Sequence, residues 1–156
     1  MNFAGILTAF KDEWAGHGSP ALLPTDNIYF DRAQQPAALA GFPYMEVFLS
    51  QVGQEVATMQ GGGTTLTTYE LSVKVYSVQD QTGGSSTGDP VDDCSNIQES
   101  LDVMMSGIPP NTAWNGVDGF LHSVPIPGAT VAKDELLFDG RDVYVYVGSW
   151  HLLVGE

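Results

Sequence analysis

From Thr67 the chain alternates strictly in polarity. Tyr69, Leu71, Val73 and Val75 fall on one side, and Glu70, Ser72, Lys74 and Tyr76 on the other. A period of two sustained this long is the pattern of a β-strand with one buried face. Gly61, Gly62, Gly63 and Thr64 lie just before it. Just after it runs Gln81 to Gly88, with Gly83, Gly84, Ser85 and Ser86 at its centre. Glycine admits positive φ and brings no side chain to a core, so both stretches read as mobile or sharply turned loops. An ordered strand between two loose polar loops suits a subunit whose loops become ordered against neighbours. Those eight residues are the candidate interaction sites.

The rest of the chain supplies elements for that strand to pack with. Phe3, Ile6, Leu7, Phe10 and Trp14 recur at steps of three and four, the stripe of an amphipathic helix that Asn2 caps and Gly16 to Pro20 ends. A short extended piece is expected around Ile28, and a loop from Asp31 to Gly41. Tyr44 to Val52 reads as a strand with an apolar Met45/Val47/Leu49 face. The glycine-rich stretch joins it to Leu66–Val78 as a hairpin with a long tip.

Asp89 is placed to cap a second helix, with Pro90 at its first position and Asp92 and Asp93 facing the positive end of its dipole. Val91, Cys94, Ile97, Leu101, Met104 and Met105 form its expected buried stripe. Gly107 and Pro109-Pro110 end it. Gly119 to Ile126 reads as a short strand that Pro125 confines to an edge or a bulge. Leu136 to Phe138 and Val143 to Val147 flank the turn dipeptide Asp139-Gly140. The second run is rich enough on both faces to predict a strand covered on both sides, with Trp150 to Leu153 continuing it. The order predicts a single α+β domain over residues 1–156: an antiparallel sheet with a long hairpin, packed against two main helices on one face.

Charge narrows the classes of partner. Lys11, Lys74, Lys133, Arg32 and Arg141 stand against 19 acidic residues, for a formal net charge of -14. So few cations argue against phosphate binding, and such a surface repels nucleic acid that passes close to it. Solubility through like-charge repulsion explains the excess equally well. Cys94 is the single cysteine, so no intrachain disulfide forms. No apolar run reaches the ~20 residues of a membrane span, and the start carries no basic region of a secretory signal. A soluble protein made in the cytoplasm is expected.

No residue pattern points to catalysis. His17, His122 and His151 have no metal-ligand spacing, although folding decides whether His122 and His151 meet. Cys94 has no activating base nearby in the sequence, and no nucleophile elbow is present. Gly83 to Gly88 lacks the lysine of a phosphate loop. Asp89, Asp92 and Asp93 are explained by helix capping, and Asp139 and Asp142 by a turn. No cofactor or metal is expected. A hydrolase built on Asp139, Asp142 and a histidine is the least favoured of the open alternatives.

In layout the chain resembles the tail terminator proteins of tailed bacteriophages. An N-terminal amphipathic helix leads to Ile28-Tyr29-Phe30. A proline-led strand, Phe42-Pro43-Tyr44-Met45-Glu46-Val47, then enters a glycine-rich hairpin into Tyr69–Tyr76. An acid-capped helix and a β segment through Val143–Val147 complete the order. The proline-rich insert from Ile108 to Pro127 departs from it and leaves the strand pairing after the second helix open. The resemblance implies a homohexameric ring in the virion that caps the tail tube protein and meets the head-completion, or stopper, protein, with a sheath protein as a further neighbour. It also implies that DNA passes through the ring without being bound. Another neck or head–tail connector, or a cytoplasmic acidic binding module, remains open as an alternative.

Overall fold

The computed structural model of the chain describes residues 3–31, 34–59, 62–106 and 120–155. Helix α1 (Phe3–His17) is followed by strands β1 (Ile28–Phe30), β2 (Tyr44–Met59) and β3 (Gly62–Val78). Helix α2 (Pro90–Met105) and strands β4 (Phe120–Lys133) and β5 (Val143–Gly155) complete the order. The strands form one five-stranded sheet in the order β1-β2-β3-β5-β4. The chain is thus α+β, as its pattern predicts, with one difference. β1 runs parallel to β2, pairing Ile28 with Met45 and Phe30 with Val47, so the sheet is mixed rather than antiparallel. The loop between them is long enough to return the chain to the same end of the sheet, which adjacent parallel strands require.

Both helices pack on one face of the sheet. Ile6, Phe10 and Trp14 of α1 join Cys94, Ile97, Leu101 and Met104 of α2 over Met45, Val47, Leu71, Val73, Val75 and Leu152. The alternation that marked β3 is therefore the alternation of its burial: the four odd-numbered residues from Tyr69 to Val75 are buried. Burial of this apolar surface is the main stabilising term. Trp14 adds a hydrogen bond, donating its indole N–H to the Leu23 carbonyl at 2.8 Å.

α2 starts as its sequence dictates. Asp89 accepts the Val91 N–H at 2.9 Å, and Pro90 occupies the first turn, where its missing N–H costs nothing. The stripe is shifted at one flank, however. Val91 is exposed, whereas Asp93 is fully buried. The flank bearing Asp93 lies under the Gln81–Gly88 loop, and that of Val91 faces an open cleft.

β5 alternates between buried and half-buried residues, so it is covered on one face along most of its length and not on both. The second cover is local. At one end of the opposite face, Phe42, Tyr44, Val78 and Val143 form a small separate core. There Tyr44 stacks on Tyr76 at 4.6 Å, and Phe138 leans on Phe42 at 5.0 Å.

β4 occupies the sheet edge, and its register slips between Ile126 and Thr130, around Pro127 and Gly128. The prolines account for both features, since neither can donate to a ladder. β4 also runs on to Lys133, past the expected end at Ile126. Because β4 takes the outer side of β5, Leu136 and Leu137 are left exposed in the connection, and only a bridge from Phe138 to Arg141 remains of the expected strand. Asp139 and Gly140 both have positive φ, as a tight two-residue turn requires.

Candidate interaction surface

The two glycine-rich stretches have different fates. Gln60 and Gly61 lie outside the described residues. Gly62, Gly63 and Thr64 belong to β3, opposite Met59, Thr58 and Ala57 of β2. They continue the hairpin ladder and are not a loose loop. Backbone pairing needs no side chain, so the hydrogen-bond register set further down by Thr65, Thr67 and Thr68 carries through the glycines. The product is an arm. β1 reaches only Val47, and β5 pairs with β3 only as far as Leu66, opposite Gly155. Beyond those points β2 and β3 have only each other among the described residues.

Gly83 to Ser86 do form a loop, but one fastened to its own chain. Ser85 donates its N–H to the Ala21 carbonyl at 3.2 Å. Gly84 has a φ of 57°, and a Cβ there would stand 2.2 Å from the same carbonyl oxygen. The buried carboxamide of Gln81 donates to the carbonyls of Leu39 and Phe42 and accepts the N–H groups of Thr82 and Gly83. From the other side, Asp93 accepts the Ser86 hydroxyl at 2.5 Å and the Thr87 N–H at 3.0 Å. The expectation of a mobile loop is therefore corrected: its ordering contacts are intramolecular. Thr82 to Ser85 still present exposed atoms at the surface.

Gln81 and Asp93 are the residues that the sequence pattern did not single out. An acid in the first turn of a helix that follows a Ser-Ser-Thr run is the available signal, because it can turn back onto the loop as well as face the dipole.

The acidic groups proposed for hydrolysis are not assembled. Asp139 is exposed and takes Arg141 Nη1 at 3.1 Å, while Asp142 pairs with Lys133 Nζ at 3.1 Å. His151 is nine residues along β5 from Asp142, roughly 30 Å of extended chain. His122 sits opposite Leu153 and Val124 opposite His151, so the two histidines occupy diagonal positions on neighbouring strands. Among the described residues no group of three metal-ligating side chains is placed to hold an ion. His17 Nδ1 lies 3.2 Å from the buried Glu13 carboxylate at the end of α1.

An open cleft of about 450 Å³ lies at the start of α2, with Asp80, Asp89 and Asp142 on its walls. Each of these carboxylates already has a partner: Arg141 at 3.8 Å, the Val91 N–H, and Lys133. The cleft is a consequence of capping and surface pairing. Cys94 is buried beneath α2, and desolvation pushes its thiol up to about 11, the neutral form of a packing residue. No helix among the described residues is long and apolar enough to cross a membrane.

The most distinctive surface is the arm itself. Val52 and Val56 of β2 are 51% and 67% exposed, far from either core. The sequence matches no protein-family model, and no match is found among curated proteins.

Proposed function

We propose that this chain is a structural subunit of a phage virion, a tail terminator that assembles as a ring, most simply a hexamer, at the end of the tail tube. The supporting observation is the projecting β2–β3 arm on a two-layer α+β body. An arm of paired strands that extends past its own sheet offers contact area to another protein, not a cavity to a small molecule. The element order of the resemblance agrees with it. In this role the protein is made in the host cytoplasm, ends tube polymerisation, and presents its other side to the stopper protein. Its net charge of -14 keeps passing DNA from adhering.

The test is to mix the purified chain with a tail tube protein from the same genome and to image the products by negative stain. Rings seated on tube ends and a fixed tube length are expected. A chain that neither caps nor binds tubes would overturn the assignment.

A further inference from the structure

We propose that the outer edge of β2, from Phe48 to Met59, is the surface on which a second copy of this chain adds a strand, taken from the tip of its own hairpin arm.

The two sheet edges are built differently. The β4 edge is blunted by Pro125, Pro127, a break in register and Lys133. Those are the devices by which proteins stop strangers from pairing with an edge. The β2 edge has no proline and no lysine, and β1 covers it only at Met45 to Val47. Among the described residues, what remains open is roughly 40 Å of strand.

Its unpaired donors can be assigned. The Val47 carbonyl accepts the Asp31 N–H at 2.9 Å, so the polar backbone atoms of Val47 point outward. Both polar groups of a strand residue point the same way and alternate along the chain, which places those of Leu49 and Gln51 outward too. The irregularity between Gln51 and Gly53 resets the alternation. Beyond it Gly53 and Glu55 face β3, while Gln54 and Val56 face out.

Charge identifies the occupant. Charged residues make up 15% of the sequence, yet from Val47 to Tyr69 the single charged side chain is Glu55. A chain of net charge -14 repels its own copies, and the repulsion is least where both contacting surfaces are neutral. A basic partner would be drawn to the acidic body and not to this arm. Depletion of charge at a patch is also the compositional mark of a protein interface.

The strand that pairs comes from the neighbour's arm, because Gly62 to Thr65 lack a strand on their β5 side among the described residues. Pairing the β2 edge of one copy with the β3 tip of the next is head-to-tail, the kind of contact that generates rings. This names the contact behind the proposed ring and rests on ring formation only for its closure.

The test measures association of the full chain by light scattering and mass photometry over a range of concentration. Gln54→Pro with Val56→Pro removes two outward N–H groups and leaves the β2–β3 ladder its donors. A second variant, Val52→Glu with Val56→Glu, keeps every N–H and adds like charge to the arm. In both, association should weaken at least tenfold while far-UV circular dichroism and melting temperature stay near the parent's. Raising salt from 0.05 to 0.5 M should strengthen parental association, since screening removes the body's repulsion and leaves the neutral contact. A parent that stays monomeric, or folded variants that assemble like the parent, would overturn the inference. Arm-dependent oligomers that ignore tail tubes would instead sink the terminator assignment alone. Tube-capping rings that survive both double variants would sink the edge contact alone.

Discussion

Thr87 donates its backbone N–H at 3.0 Å to the fully buried carboxylate of Asp93, which fastens the Gln81–Gly88 loop to the first turn of α2. The same carboxylate takes the Ser86 hydroxyl. Loop and helix are thus one unit, and a change at either should be felt at the other.

Asp93→Ala should therefore destabilise the fold by about 1–3 kcal/mol, because Ser86 and Thr87 lose the acceptor that ties the loop to α2. Urea denaturation gives the magnitude. Amide exchange at Thr87 gives the location and should accelerate in the variant. Unchanged protection at Thr87 would show that the loop holds without the carboxylate.

Gly84→Ala should cost about 1–3 kcal/mol, since alanine must accept a left-handed backbone and its Cβ meets the Ala21 carbonyl. Gly83→Ala is the matched control. A Cβ there meets only the Gln81 carboxamide, at 3.7 Å, an ordinary contact. Equal melting temperatures for the two variants would contradict this account of the loop.

Cys94 makes stability depend on alkaline pH. Its thiol is pushed up from 9.0 to about 11, chiefly by burial, so the folded state holds the proton more tightly than the unfolded chain. The stabilisation is fully present below pH 9 and is lost as pH rises toward 11. Across that window it amounts to about 2–3 kcal/mol. Tyr146, pushed up to about 12 by its own burial, acts in the same direction from pH 10 upward. Urea midpoints at pH 7.5 and 10 should fall less in Cys94→Ala than in the parent, although the variant starts lower because of the cavity it leaves.

Replacing residues 56–65 by a two-residue Asn-Gly turn, which closes on the hydrogen-bonded pair Glu55 and Leu66, should leave the melting temperature within a few degrees of the parent's. On these strands the body's core reaches only to Leu49 and Tyr69 and uses none of the replaced residues. Light scattering should then show loss of self-association. Collapse of the fold, seen by calorimetry, would mean that the arm is part of the body.

Local rules made much of this fold legible. The period of two along Tyr69–Val75 predicts both the strand and its buried side, and Asp89-Pro90 marks the start of α2 to the residue. What stayed hidden depends on distant partners. β1 is three residues long and gains its place only by pairing with Met45–Val47. Leu136 and Leu137 have strand-like chemistry, but β4 had already taken the edge they would need. Glycines 62 and 63 have no strand propensity of their own and inherit a register from the threonines that follow. The loop at Gly83–Ser86 shows composition misread as freedom: its small polar residues are the ones that fit under Ala21 and over Asp93.

β3 has one more consequence. It is an unbroken strand of 17 residues that begins at the arm tip and ends inside the body, with β2 on one side and β5 on the other. A pull applied at the tip and resisted by the body runs along that strand. It loads the flanking ladders in shear, where many hydrogen bonds must yield together instead of opening one at a time. Single-molecule pulling on the tip should therefore find higher rupture forces than pulling that peels the same two strands apart from one end.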